Sequence, residues 1–312
     1  MSIHNDDIDS QAAAQSRVRL AVLGSPISHS RSPQLHRTCY ALLGREDLDY
    51  TAHEVAGDEL PDFWSQLDDT WLGLSLTMPL KTLVRPYLAA VDSYAARTGV
   101  VNTVSFTSDG PVGFNTDVVG LMEVLREALA SADGQSPRVA SAVVFGAGAT
   151  AASALCALAD IGCTDVTVVA RRTQAVEVLQ QMFPELRLSS LPLPGQDPDD
   201  SAAEFQRLGQ HPVDIAINTL PADAAQPEFL DAVTDLARQC GTSVPMVDVL
   251  YDPSPPPVLQ AWRVGGGRGV DGLSLLREQG IAQALLFTGQ AVDAAMLGIL
   301  RSAVDEAIGT LG

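Results

Sequence analysis

Val139-Ala-Ser-Ala-Val-Val-Phe-Gly-Ala-Gly-Ala-Thr-Ala151 runs from an apolar strand pattern into a Gly-x-Gly turn and on into an alanine-rich segment. Strand, glycine turn and helix in that order are the context a dinucleotide-binding turn requires. Gly146 permits the tight turn, Gly148 lets the backbone approach a pyrophosphate at the helix N-terminus, and Ala151 takes the third glycine's place in helix–strand packing. The 21 residues from 139 to 159 carry no charge, a length that could span a bilayer. The glycine turn and the abundance of Ala, Gly and Ser make the stretch a buried β-turn-α unit instead. Gly146, Ala147, Gly148, Ala149 and Thr150 are therefore the first candidates for cofactor contacts.

The end of the following strand separates the two nicotinamide cofactors, since an acid there binds the ribose hydroxyls of NAD and arginine accommodates a 2′-phosphate. Here the chain reads Val169-Ala-Arg-Arg-Thr173. Two adjacent guanidiniums suit bidentate phosphate contacts, so Arg171 and Arg172 favour NADP.

Outward from this unit, β-branched runs alternate with amphipathic segments of helix length, the pattern of a mostly parallel sheet with helices on its faces. Before it, Val18–Leu23 and Leu72–Leu76 read as strands, Pro33–Leu43 and Asp58–Leu67 as helices, and Asn102–Phe106 with Val112–Asn115 as an antiparallel hairpin, followed by a helix near Val118–Ala130. The run from Ala130 to Pro137 reads as a linker. After it come strands Val139–Phe145, Thr164–Ala170, Val213–Asn218 and Val244–Val249. They are interleaved with helices near Thr150–Asp160, Gln174–Met182 and Glu228–Cys240, while Leu188 to Ser201 reads as irregular. Two last helices, about Ser274–Phe287 and Gln290–Ala307, have no strand partners and are expected to return to the first lobe, closing a cleft. The fold expected is α/β and two-lobed. Residues 1–17 are expected to form a disordered tail, 18–117 with 273–312 an N-terminal α/β substrate domain, and 118–272 a Rossmann-like NADP-binding domain.

At 312 residues, with 46% apolar and 18% charged side chains, the chain has material for two globular cores. Nineteen basic against 38 acidic residues give a formal charge of −19, which repels nucleic acid and anionic lipid alike. The scarcity of cations draws attention to Lys81, Arg171 and Arg172. Cys39, Cys156, Cys163 and Cys240 have no metal or redox spacing, and the first 16 residues lack the basic-then-apolar run of a signal peptide. A reducing, cytoplasmic setting is the expectation that fits. The five histidines form no HExxH and keep no company with cysteine, so no metal site is expected.

Two short segments carry the remaining chemistry. Gly24-Ser-Pro-Ile-Ser-His-Ser-Arg-Ser-Pro33 sets hydroxyls on a turn between strand and helix, and Leu74-Ser-Leu-Thr-Met-Pro-Leu-Lys81 brings a lysine to a strand end, with Pro79 expected to start a helix. Together they suggest a small anionic, hydroxylated ligand held by serines beside a proton-transferring lysine. Gly113-Phe-Asn-Thr-Asp117 ends a strand at the junction of the lobes. Asp117 there is placed to orient Lys81 through a charge-assisted hydrogen bond, and Thr116 or Asp117 to cap the following helix, two compatible roles. Asn102, by itself, reads as a satisfied turn amide.

Taken in order, Gly24-x-Pro-x-x-His-Ser-x-Ser-Pro33, Thr77-Met-Pro-x-Lys81, Val101-Asn-Thr103, Gly113-x-Asn-Thr-Asp117, Gly146-Ala-Gly148, Asp248-x-x-Tyr251 and Asp271-Gly-Leu273 through Gln279 resemble the shikimate dehydrogenase family from about Val18 to the C-terminus. The resemblance implies NADPH-dependent reduction of 3-dehydroshikimate to shikimate. It implies that Ser30 and Ser32 bind the carboxylate, that Thr77, Asn102, Asp117 and Gln279 bind ring hydroxyls, and that Tyr251 lies near both carboxylate and nicotinamide. Lys81 with Asp117 would be the catalytic pair. Gly146 to Thr150, Arg171, Arg172, Val249 and Gly272 would line NADP. The sequence departs from the family pattern at Arg37, at Ser75, where an Asn is common, and at Ala170, which leaves the phosphate contact open between the two arginines. Two rival readings remain: a paralogue acting on quinate or aminoshikimate, possibly with NAD, and a non-catalytic relative that senses shikimate or nucleotide. The expected partner is a small molecule, with no nucleic acid and no membrane, and the expected assembly is a monomer or homodimer.

Overall fold

The structure is a computed structural model and describes residues 18–130, 139–195, 205 and 207–309. The N-terminal tail and most of the expected linker lie outside those residues.

The first lobe is built on β1 (Val18–Gly24), β2 (Leu48–Glu54), β3 (Trp71–Leu76), β4 (Ala90–Val91), β5 (Thr103–Thr107) and β6 (Gly110–Phe114), in the order β2-β1-β3-β5-β6-β4. β1 lies between β2 and β3, parallel to both, while β5 is antiparallel to β3 and β6. The uninterrupted apolar run of β1 is explained by burial on two faces. Leu20 and Val22 enter one core with Leu35, Tyr40 and Ile281, whereas Ala21 and Leu23 enter another with Leu60 and Leu74.

The second lobe holds β7 (Ser141–Phe145), β8 (Asp165–Ala170), β9 (Arg187–Pro192), β10 (Ile215–Asn218), β11 (Pro245–Asp248) and β12 (Arg268–Val270), all parallel, in the order β12-β11-β10-β7-β8-β9. Counted from β7 as first, this is the 3-2-1-4-5-6 order of the doubly wound dinucleotide fold. Its switch point falls between the carboxyl ends of β7 and β10, beside Gly146.

The expected α/β class and the hairpin hold. Leu188 to Ser201, expected to be irregular, is corrected in its first half. Arg187–Pro192 pairs with β8 as an edge strand, held by Arg187 to Asp165 and by Thr167 Oγ1 to Ser189 Oγ at 2.9 Å. β2, β12 and the helices Ser93–Thr98 and Pro257–Val264 add to the expected elements. The segment after Pro79 is a turn, not a helix, as far as Val84.

The helix Thr116–Leu129 links the lobes. Its Val118, Leu121, Val124 and Leu125 sit in the core beneath β7 and β8, and Leu275 of the helix Gly272–Thr288 joins them there. That long helix and the helix Ala294–Gly309 return to the first lobe as expected, packing Ile281, Phe287, Leu300 and Val304 against Leu35 and Tyr40. No helix among the described residues is long and apolar enough to cross a membrane.

Candidate active site

Between the lobes lies a cavity of about 360 Å³. Its lining gathers Ser30 from the turn after β1, Ser32 from the start of the helix Ser32–Leu42, Thr77 and Lys81 from the turn after β3, Asn102 before β5 and Asp117 from the linking helix. Tyr251 follows β11, and Gln279 comes from the closing helix. Residues separated by 249 positions in the chain thus meet, because the helix carrying Gln279 packs back onto the lobe whose strand ends carry the serine and lysine turns. All eight candidate ligand and proton-transfer residues line this one space.

Lys81 Nζ donates to Asp117 Oδ2 at 2.6 Å. Asp117 Oδ1 accepts from Asn102 Nδ2 at 2.8 Å, so both carboxylate oxygens are engaged in a nearly buried setting. Asn102 is itself locked: its Oδ1 accepts from the Thr116 backbone N–H at 2.8 Å and from Thr103 Oγ1 at 2.8 Å. The orienting role considered for Asp117 is therefore present geometrically. The helix cap position falls on Asn115, which makes no side-chain cap hydrogen bond.

Below the lysine pair, the cavity floor is a closed polar network. Gln283 Nε2 donates to the Asn102 carbonyl and to Thr103 Oγ1, and its Oε1 accepts from Ser75 Oγ at 2.8 Å. Ser75 in turn accepts from the Tyr50 hydroxyl at 2.7 Å. His36 reaches Gln283 Oε1 with Nε2 and the Tyr40 hydroxyl with Nδ1, stacked on Tyr50. Full burial pushes the His36 imidazole down to about 3, against the opposing pull of Gln283. His36 is a structural group of this floor. Gln283 escaped the sequence reading, although its spacing of four from Gln279 puts both on one helix face.

On the other side, Thr150, Val249 and Gly272 reach the same cavity, whereas Gly146, Ala147, Gly148, Ala149, Arg171 and Arg172 lie outside its lining. Those six continue along the carboxyl edge of the second sheet. Gly146 has φ +106°, and a Cβ there would strike Thr219 Oγ1, so β7 can turn against β10 only with glycine. A Cβ on Gly148 would meet nothing within 4 Å. Open space therefore stands over the N-terminus of the helix Ala149–Asp160, whose first turn has neither an acidic residue nor a side-chain cap. Free backbone N–H groups with room above them suit a pyrophosphate. Arg171 and Arg172 are both exposed at the end of β8, free to meet a 2′-phosphate.

Tyr251 sits where the lobes meet. Burial raises its phenol above the usual range, while the Arg31 backbone N–H works in the other direction. Behind it, Asp248 is fully buried and joins the ends of β10 and β11 by accepting from Asn218 Nδ2 at 3.0 Å and from the Leu250 and Leu259 N–H groups. Burial pushes this carboxyl up to about 6 despite those donors. No cluster of His, Cys, Asp or Glu able to hold a metal occurs among the described residues.

A doubly wound sheet with its glycine turn at the switch point, facing a second α/β lobe across a polar cavity, defines a two-lobed protein of the dinucleotide-binding class. The family model for the shikimate dehydrogenase substrate binding domain matches residues 22–104. The chain is 32% identical over 304 residues to the shikimate dehydrogenase (NADP(+)) of Moorella thermoacetica, covering 93% of this chain and 95% of that one. It also superposes with a TM-score of 0.72 on the Thermus thermophilus shikimate 5-dehydrogenase solved in complex with NADP(H) and shikimate, at 28% identity over 93% of this chain and 99% of that one. A third relative is the pentafunctional AROM polypeptide of Eremothecium gossypii, 32% identical over 87% of this chain, of whose length the chain spans only 17%. The chain belongs to the shikimate dehydrogenase family.

Proposed function

We propose that this chain catalyses the reversible NADPH-dependent reduction of 3-dehydroshikimate to shikimate. The observation that carries the reading is the Lys81–Asp117 pair at 2.6 Å inside a cavity shared by the serine turn and the carboxyl edge of the dinucleotide sheet. NADPH, held at Gly146 to Thr150 and at the two arginines, supplies the hydride when bound. Lys81 gives a proton to the carbonyl oxygen as it becomes a hydroxyl and takes it back in the reverse direction. Asp117 holds Lys81 in place and accepts from a ring hydroxyl. Ser30 and Ser32 offer hydroxyl donors to the carboxylate, Thr77, Asn102 and Gln279 face the remaining ring hydroxyls, and Tyr251 closes the cavity near the carboxylate. Val249 and Gly272 line the nicotinamide end. Closure of the two lobes over bound ligands would exclude water from the reacting carbon.

We draw the lobe boundaries at 117/118 and 272/273, and assign the protein to the cytoplasm as a monomer or homodimer, where its four unpaired cysteines stay reduced. The test follows reduced-nicotinamide absorbance with shikimate and with quinate, each paired with NADP and with NAD. Turnover confined to shikimate with NADP supports the reading. Preference for quinate or NAD overturns the substrate or cofactor assignment, and silence in all four with a folded protein overturns the enzyme.

A further inference from the structure

Asn115 stands at the seam between the lobes, 1% exposed, two positions ahead of Asp117, and has no part in the chemistry above. Its amide nitrogen donates to Thr98 Oγ1 at 2.9 Å and to Ser153 Oγ at 3.0 Å. Thr98 ends the helix Ser93–Thr98 in the first lobe, and Ser153 lies one turn into the helix that starts beside Gly148. The amide therefore ties the start of the Asp117 helix to the start of the dinucleotide helix. A separate contact ties the helix Ser93–Thr98 to the far end of the dinucleotide helix, where Arg97 Nη1 donates to Asp160 Oδ1 at 2.6 Å.

The orientation of the amide is determined by its partners. Thr98 Oγ1 donates its own proton to the Tyr94 carbonyl at 2.7 Å and so presents only lone pairs to Asn115. Both amide hydrogens are then spent, and the carbonyl Oδ1 is left buried with no partner among the described residues. An orphaned buried acceptor is destabilising, and an apolar side chain of similar shape would avoid it. What the amide adds over such a side chain is its two donors.

We propose that Asn115 is a positioning residue that sets the distance between the dinucleotide turn and the Lys81–Asp117 pair. Thr150, three residues before Ser153, lines the same cavity as Lys81 and Asp117, so a slip at the Asn115 contact moves one wall of the site against the other. Hydride transfer is sensitive to such slips, since misplacement by about 1 Å can cost on the order of a hundredfold in rate. The inference rests on the dehydrogenase reading.

The test compares Asn115→Leu, Ser153→Ala and the double variant with the wild-type protein. It measures kcat and KM, the primary isotope effect with NADPH deuterated at the transferred position, and amide hydrogen exchange along residues 149–160 without ligand. Each single variant is expected to lower kcat about tenfold with KM for the cyclic acid within about twofold, and to raise the isotope effect. The double variant should lose no more than Asn115→Leu alone, because that variant already breaks the contact to Ser153. Exchange should quicken at the start of the dinucleotide helix. Full kcat with an unchanged isotope effect in either folded variant, or losses that multiply in the double, would overturn the proposal. Should Asn115→Leu fail to fold, Ser153→Ala carries the same comparison. A wild type without turnover overturns the function instead, and unchanged exchange in the variants overturns the positioning role independently of activity.

Discussion

Replacing Lys81 by methionine separates chemistry from stability, because the residue has a calculable structural debt as well as a proposed catalytic role. In the folded protein the lysine and Asp117 side chains are 17% and 6% exposed. Removing Nζ leaves Asp117 Oδ2 without its partner, while Oδ1 keeps the Asn102 donor. Breaking a fully buried pair costs about 3–5 kcal/mol; with one oxygen still bonded and the cavity open to water, about 2–3 kcal/mol is expected here. The double variant Lys81→Met with Asp117→Asn removes the stranded charge and should recover about half of that loss or more, since a neutral amide is far cheaper to bury. Turnover should fall by about 10²–10⁴ in both variants, the usual worth of a positioned proton-transfer group. Binding of shikimate to Lys81→Met should change much less than kcat, as the lysine acts mainly in the transition state. Urea unfolding followed by fluorescence gives the first quantity, nicotinamide absorbance the second and calorimetric titration the third. A folded Lys81→Met that turns over like wild type refutes the mechanism. A double variant as unstable as the single one refutes the electrostatic account.

The buried His36 makes stability depend on pH. Its imidazole is held at about 3 in the folded chain against an ordinary 6.5, so as pH falls the unfolded chain binds the proton first. Stability from this group is complete above pH 6.5 and declines below it, by about 2 kcal/mol at pH 5, and His36→Gln should lack that part of the slope. Asp248, pushed up to about 6 in the other lobe, has the opposite sign and gains stability as pH falls through 6, so the difference between wild type and His36→Gln isolates the histidine; identical slopes would contradict the burial argument. Gly148→Val should leave thermal stability nearly unchanged, because its Cβ meets nothing, yet weaken NADPH binding at least about tenfold by covering the helix N-terminus; unaltered affinity in a fluorescence titration would remove the pyrophosphate assignment. Arg171→Ala and Arg172→Ala, measured side by side, should raise KM for NADP about 10–100-fold at whichever arginine meets the 2′-phosphate while leaving any turnover with NAD unchanged. Equal loss with both cofactors would mean that neither reads the phosphate.

What the sequence disclosed depended on where each signal resides. β7 and β10 were legible because strands buried on both faces must be apolar throughout, and Gly146-Ala-Gly148 follows β7 without a gap. β9 was not, since Arg187-Leu-Ser-Ser-Leu-Pro192 is an edge strand with one paired side, and its polar residues make turn-like reading as natural as extended. β12 is only three residues long and contains a glycine. The candidate site was legible as fragments, each of the eight residues lying in a short motif, but the 2.6 Å contact between Lys81 and Asp117 depends on two strand ends meeting. Gln283, and the contacts of Asn115 within its motif, stayed hidden for a related reason. Ser75 and Gln283 are 208 positions apart, and Asn115 meets partners 17 and 38 positions away in different lobes, so no local spacing announces either.

Counting donors and acceptors divides the cavity into scaffold and ligand groups more sharply than proximity does. Gln283 spends both amide hydrogens and its carbonyl on the protein, and Ser75 both gives and receives a hydrogen bond, so neither has a free donor for a ligand. Asn102 is in the same position, its amide shared among Thr116, Asp117 and, at 3.5 Å, Gln279. A ligand hydroxyl can reach it only by displacing the last and weakest of these contacts. By contrast, the Thr77 and Ser32 hydroxyls have no protein partner among the described residues, Ser30 only accepts a long bond from the Ser32 N–H, and Lys81 uses one of three hydrogens. The spare donors therefore cluster at the serine turn and beside Lys81. In a chain of net charge −19, an anion must be held by such local donors, because the long-range field opposes it but fades within about 10 Å in salt. On this reasoning the departure at Ser75 does not empty a ligand position. The Tyr50 hydroxyl and Gln283 already complete the floor there.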